Sequence, residues 1–380
     1  MHRAALIALA AASLATGTSA LARPEKAKEA MIYVGTYTSG DSKGIYRLRL
    51  DLATGGLTFA GEPTETVNPS FLAFHPSRRF LYAVNETGDA PKDPSGGVSA
   101  FAVDPKTGAL TFLNQQPSEG AAPCHLTVDK AGRHLLVANY WGGTVAVLPI
   151  APDGRLGAAT TVIRHEGHSV HPEQQKEPHP HSVNFDDANR FAYVADLGID
   201  EIVTYRYDAG TGALARASAA RTKPGAGPRH LALHPDGRRA FVIDEIDSTL
   251  TRFSVDPATG TLHAEQTLPT LPLGYAGANS TAEIAVHPRG RLVFGSNRGH
   301  DSIAIFALGK DGALTGLGHE PTRGHNPRHF AVDPSGTFLL AANQASDNVA
   351  VYRIDEKAGR LQPIGDPFRV PRPVCLRFAD

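Results

Sequence analysis

The stretch GPRHLALHPDGRRAFVIDE, residues 227–245, decides the fold. Within it LALH (231–234) alternates apolar and polar side chains, the pattern of a strand with one buried face. Pro235-Asp236-Gly237 supplies a turn, proline fixing φ and glycine accepting positive φ. AFVI (240–243) is the next strand, built from residues that suit a pleated surface. Downstream, TLTRFSVD (249–256) alternates again, and DPATGTL (256–262) turns into a fourth strand. Four short strands joined by tight turns make one antiparallel sheet. The same stretch sets Arg229, His230 and Glu245 on otherwise apolar strands, which marks it for chemistry as well as structure.

Working outward, this unit recurs. PSFLAFHPSRRFLYAVNE begins at Pro69, PCHLTVDKAGRHLLVANY at Pro123 and PHSVNFDDANRFAYVADL at Pro180. PRHLALHPDGRRAFVIDE begins at Pro228, TAEIAVHPRGRLVFGSNR at Thr281 and PRHFAVDPSGTFLLAANQ at Pro327. Each runs on into a third alternating segment and a Gly-Leu turn, giving six complete units. A seventh is divided between the chain ends: PVCLRF (373–378) matches a first strand, MIYVGTYTSG (31–40) a second, and GIYRLRLDLATGGL (44–57) a third with its turn. Repeats of this period are the signature of ring and solenoid architectures. A unit completed from both termini closes a ring, so the expected fold is an all-β, seven-bladed β-propeller with four antiparallel strands per blade. A solenoid would need capping repeats, and none are visible. The single tryptophan, Trp141, excludes the Trp-Asp repeat lineage.

Composition agrees with a folded, turn-rich chain: of 380 residues, 41% are hydrophobic, 20% charged, and 38 are glycine. A formal net charge of −1 offers no basic stripe for nucleic acid. At the N-terminus a short positive region, the apolar run AALIALAAASLA (4–15) and Ala20-Leu21-Ala22 have the form of a secretory signal cut near Ala22. This divides the chain into a signal peptide (1–22), a mobile charged lead-in (23–30) and one propeller domain (31–380). The expected product is a periplasmic or secreted protein, free of the membrane after cleavage and monomeric. The two cysteines, Cys124 and Cys375, fall on different units and are expected as separate thiols rather than a disulfide.

In a propeller the first strand of each blade lines the central channel, so functional side chains should gather in two repeat columns. The column after the blade-starting proline contains Ser70-Phe71, Cys124-His125, His181-Ser182, Arg229-His230, Ala282-Glu283, Arg328-His329 and Val374-Cys375. The column after the second strand contains Tyr37, Glu86, Tyr140, Leu197, Glu245, Arg298 and Gln344. These columns diverge chemically while strand interiors stay alike, the mark of a site on a repeated scaffold. Antiparallel pairing brings Arg229 and Glu245 to one face, either as a structural salt bridge or as part of a site. Arginines gathered over one cleft suit a carboxylate or phosphate, which guanidinium holds bidentately. His125, His179, His230, Glu283, Arg328 and His329 are the expected substrate-binding contacts. Five histidines (165, 168, 171, 179 and 181) crowd one inter-blade loop, but their spacing matches no standard zinc pattern. No metal and no cofactor is expected. The recurring His-Pro and Asp-Pro turns at His75, His234, His287, Asp104, Asp256 and Asp333 are assigned to structure.

GAGPRHLALHP…FVIDE, PHPHSVNFD and AVHPRGRLVFGSNR together resemble the propeller-type lactonase family, which includes bacterial 6-phosphogluconolactonase and a fungal carboxymuconate-lactonizing enzyme. The similarity covers residues 31–378. It implies lactone hydrolysis, with His181, Arg229, Glu245 and Arg298 as the catalytic group over the channel. On that basis an anionic lactone would sit on Arg229 and Arg298, with Glu245 or His181 taking a proton from water and the other protonating the leaving oxygen. No GxSxG elbow occurs, so a serine acyl-enzyme is disfavoured. Asp244 stands where relatives often carry asparagine. The competing readings are an exported propeller that binds an anionic ligand or protein, a lactone-forming cycloisomerase, and a metal- or quinone-dependent oxidoreductase.

Overall fold

The computed structural model describes Met1, residues 28–88 and residues 95–379. The signal segment beyond Met1 and the lead-in up to residue 27 lie outside the described residues. Among those described there is no helix, and the strands form seven antiparallel sheets. In blade 5 the order runs outward as Pro228–Leu233, Arg239–Asp244, Thr249–Val255 and Leu262–Pro269. Blades 2, 3, 4, 6 and 7 repeat this order, and the inner strands touch one another in sequence around the axis.

Blade 1 is completed by both chain ends. Pro373–Phe378 lies innermost and pairs antiparallel with Glu29–Thr36, Ile32 facing Phe378 and Val34 facing Leu376. Glu29–Thr36 begins two residues before the expected Met31. Glu29 and Ala30 pair with Asp51 and Leu50, and Ala30 is buried, so backbone pairing extends into the segment expected as lead-in.

The core is distributed between blades. Phe294, Ile303, Phe330, Leu339 and Tyr352 pack blade 6 against blade 7, and Phe241, Ile243, Ile284 and Val293 pack blade 5 against blade 6. The second strands FLYAVN, HLLVAN and FAYVAD are buried along their whole length, with a neighbouring blade on each face. That is why they are almost continuously apolar while the outer strands alternate.

The turn histidines staple neighbouring blades. His75, His234 and His287 each donate from Nε2 to a glycine carbonyl in the next blade (Gly132, Gly290 and Gly336) at 2.9–3.0 Å. All three glycines have positive φ, and a Cβ on any of them would strike the imidazole. Cys124 and Cys375 are separate, buried, free thiols.

Candidate active site

Where the inner strands of blades 1, 3, 4, 5 and 7 begin, their pairing slips by one residue. In blade 5 Pro228 faces Asp244 and His230 faces Ile243, leaving Arg229 as the extra residue. The same slip leaves out His181 in blade 4, Arg328 in blade 7, Cys124 in blade 3 and Val374 in blade 1. A β-bulge of this kind re-aims a side chain. Two consecutive residues therefore serve the axis where strict alternation would supply one, and the channel acquires two tiers.

The lower tier is a packed plug. Phe71 of blade 2 lies with its ring centroid 4.0 Å from that of His125, 5.8 Å from His230 and 5.9 Å from His329, contacts that reach across the axis. Glu283 of blade 6 accepts a hydrogen bond from Nδ1 of His230 at 3.0 Å, and Nε2 of His329 stands 3.2 Å from the same oxygen. The Leu376 N–H donates to Nδ1 of His329, so the His329 proton is on Nε2, facing the carboxylate. His230 in turn offers its Nε2 lone pair to Nη1 of Arg229, 3.1 Å away. Burial, reinforced by neighbouring cations, holds His125 and His230 well below the ordinary imidazole pKa and brings His329 to about 3. These imidazoles are neutral at physiological pH. Of the expected substrate contacts His125, His230, Glu283 and His329, all four are buried in this floor, and His230 and His329 line the small cavity above it.

The upper tier is the mouth. On one side Glu245 binds two guanidiniums through a single oxygen: Oε2 is 2.8 Å from Nε of Arg229 and 2.9 Å from Nη2 of Arg298. Arg229 Nη1 also donates to the Ala282 carbonyl, and Arg298 Nη2 to the Thr281 carbonyl, each at 2.6 Å. Burial alone would raise the Glu245 pKa, but Arg298, Arg229 and Arg328 outweigh it and lower it. A carboxylate so held is the counter-ion of a cationic pair. Both arginines are fastened, so neither is the free anion holder that the column pattern implied.

Across the mouth stand residues that belong to the two columns but for which the sequence suggested no role. Tyr37 Oη donates to both oxygens of Glu86 at 2.9 Å, and Ser70 Oγ donates to Oε2. The Arg328 guanidinium lies 5.5 Å from the Tyr37 ring centroid. Among the described residues it has no carboxylate in ion-pair contact. Ser70, Glu86, Cys124, Arg229 and Arg328 line one small cavity over His230 and His329. A roomier cleft of about 750 Å³, between Met31, Tyr33, Phe74 and Phe80, contains none of the mouth residues.

His181 forms a third side, 3.7 Å from the Cys124 thiol through Nδ1. Burial, then Arg229 and His230, push its pKa well down, so it too is neutral. Tyr140 sets its ring edge-on to His181, centroids 5.3 Å apart. Behind Tyr140, His179 is stacked at 4.4 Å and donates from Nδ1 to the Tyr140 carbonyl. His179, expected to touch substrate, is thus a buried support for the aromatic wall, with the exposed Trp141 at its edge.

Two of the remaining loop histidines are spoken for locally. His165 bridges Asp196 and Tyr205, and His171 accepts backbone N–H groups of its own turn. Among the described residues no group of three His, Cys, Asp or Glu side chains is placed to hold a metal ion.

A seven-bladed ring with arginines, a neutral histidine and carboxylates at one channel mouth defines a class, and comparison with known proteins agrees. The family profile described as "Lactonase, 7-bladed beta-propeller" matches residues 31–378. The chain belongs to this family. It is 35% identical over 347 residues to a 6-phosphogluconolactonase of Bacillus subtilis, covering 91% of this chain and 97% of that one. A 6-phosphogluconolactonase of Formosa agariphila is 32% identical over 340 residues, 87% of this chain and 94% of the relative. The solved periplasmic gluconolactonase of Pseudomonas aeruginosa superposes with a TM-score of 0.86 at 34% identity, over 92% of this chain and 99% of that one. These relatives indicate a lactonase-type hydrolase.

Proposed function

We propose that the protein is an exported hydrolase of sugar-type lactones, acting at the upper tier of the channel. The observation that carries the reading is Arg328: a guanidinium at the mouth without a carboxylate partner among the described residues, beside the neutral His181 and the fastened pair Arg229–Arg298. Water adds to the lactone carbonyl, the C=O pair moves onto oxygen, and the ring C–O bond then breaks to release a hydroxy acid. Arg328 faces the charge that develops on the carbonyl oxygen and then resides on the product carboxylate. A charge already in place where the transition state needs it commonly lowers the barrier more than proton transfer does. His181, uncharged, offers a lone pair that orients the water. Export is supported by the Met1–Ala22 pattern and by the periplasmic gluconolactonase to which the chain is similar.

The test is a screen of the mature protein against gluconolactone, its 6-phosphate and aromatic lactones, following acid release over the spontaneous rate. Arg328→Ala is expected to lower kcat/KM by roughly 10²-fold or more. Trp141 is the only tryptophan and is 54% exposed beside His179, so its emission reports occupancy. An emission change with no turnover of any lactone would convert the protein into a binding propeller. N-terminal sequencing of exported protein is expected to begin at Arg23.

A further inference from the structure

We propose that Glu86 takes the proton of the attacking water, the role expected of Glu245 or His181. The inference rests on the lactonase reading and concerns the same site. Glu86 and Glu245 occupy the same repeat position, directly after the second strands of blades 2 and 5. Their surroundings differ in kind. At the preceding column blade 5 has Arg229, whereas blade 2 has Ser70, so the cation of one blade is a hydroxyl in the other. Glu245 gives one oxygen to two guanidiniums. Glu86 is hydrogen-bonded by the neutral donors Tyr37 Oη and Ser70 Oγ, and Arg328 lines the same cavity without ion-pair contact to it.

Glu86 also lines the same small cavity as Arg328, so a lactone with its carbonyl oxygen on Arg328 exposes its carbonyl carbon beside the carboxylate. The titratable and charged groups facing Glu86 are Tyr37, Ser70 and Arg328, with Cys124, Arg229 and Glu245 beyond them. The step balances within the site. The water oxygen bonds to the carbonyl carbon as one water proton passes to Glu86. The tetrahedral intermediate collapses, the carbon–ring-oxygen bond breaks, and the proton moves from Glu86 to that oxygen. Glu86 is again a carboxylate when the hydroxy acid leaves.

The experiment measures kcat, KM and the pH profile of kcat for wild type, Glu86→Gln and Tyr37→Phe, with product affinity read from Trp141 emission. Glu86→Gln is expected to lose kcat by roughly 10²-fold or more, with KM and product affinity nearly unchanged and the acid limb of the profile abolished. Tyr37→Phe removes a donor to the carboxylate, so its acid limb should move to higher pH while activity persists above it. It therefore decides the matter even if Glu86→Gln does not fold. Wild-type turnover retained in Glu86→Gln, or an unmoved acid limb in Tyr37→Phe, overturns the role of Glu86 and leaves the lactonase reading standing. A wild-type protein that hydrolyses no lactone defeats that reading first.

Discussion

Blades 2 and 5 end their second strands in Asn85-Glu86 and Asp244-Glu245, and from this near-identity the ring makes two different carboxylates. In blade 5 the neighbouring bulge residue is arginine, the next blade adds Arg298, and Glu245 becomes the counter-ion of a buried cationic pair. In blade 2 the residue of that column is Ser70, the preceding blade adds Tyr37, and Glu86 is hydrogen-bonded by hydroxyls. Position in the repeat fixes where a carboxylate stands. The residues from adjacent blades decide whether it braces or reacts.

The contrast between the two glutamates is most exposed to failure in stability. Glu245→Ala strands two guanidiniums in a buried site and is expected to cost about 3–5 kcal/mol, read from urea unfolding. Glu86→Ala breaks no ion-pair contact and leaves the Tyr37 and Ser70 hydroxyls without an acceptor, so it should cost about 1–2 kcal/mol while abolishing most turnover. Equal losses from the two variants would erase the distinction between them.

A second test bears on the free cation. Arg328→Lys keeps the charge but loses the planar fork, and is expected to lower kcat by about tenfold with KM less affected. The corresponding change at Arg229, whose guanidinium also holds Ala282 and His230, should appear instead as a lower melting temperature.

The buried histidines of the channel set the response to acid. His125, His181, His230 and His329 have pKa values depressed on folding, so the unfolded chain binds protons first as pH falls below the ordinary imidazole value of 6.5. Stability is full above that pH and declines below it, by about 1.4 kcal/mol per pH unit for each histidine protonated only on unfolding. Replacing His125, which stacks on Phe71, by phenylalanine should flatten the dependence by about one proton. Denaturant midpoints between pH 7 and 5 measure the slope.

The smallest effect is expected at Asp244. At its repeat position Asn85, Asn139, Asn297 and Asn343 each donate a side-chain N–H to a carbonyl of the entering loop at 2.7–2.8 Å. Asp244 instead has Oδ1 buried without a partner, and burial raises its pKa well above the usual carboxyl value. Folding therefore disfavours its ionised form. Asp244→Asn restores the donor and should stabilise by about 1 kcal/mol at pH 7, measured from the same urea midpoints. The advantage shrinks as pH falls to the ordinary carboxyl value of 3.8, where the unfolded aspartate is protonated too.

Much of this architecture was legible in the residues. Six copies of one pattern and a seventh split between PVCLRF and MIYVGTYTSG required a closed ring, and the two polar columns located its mouth. What could not be read was the bulge. Period-two alternation puts Arg229 and His230 on opposite faces, and only the slipped register between Pro228 and His230 turns both to the axis. Without it the columns could not be sorted into a water-facing tier and a buried one, so His125, His230, Glu283 and His329 were read as substrate contacts. Glu86, Tyr37 and Ser70 were in view in the same columns. Their meeting depends on contacts between blades, which a single repeat does not encode.

The split blade has a consequence for the order in which the chain becomes a protein. Its innermost strand is synthesised after every other strand of the ring, and its partner before them. Until Pro373–Phe378 emerge, Glu29–Thr36 exposes an unpaired inner edge and the ring has no means of locking. A nascent chain can build blades 2 to 7 locally but cannot close the circle until that last strand is made. For a polypeptide that crosses a membrane unfolded, as the proposed export requires, a latch placed behind all the blades postpones commitment to the native state until transport has had its opportunity.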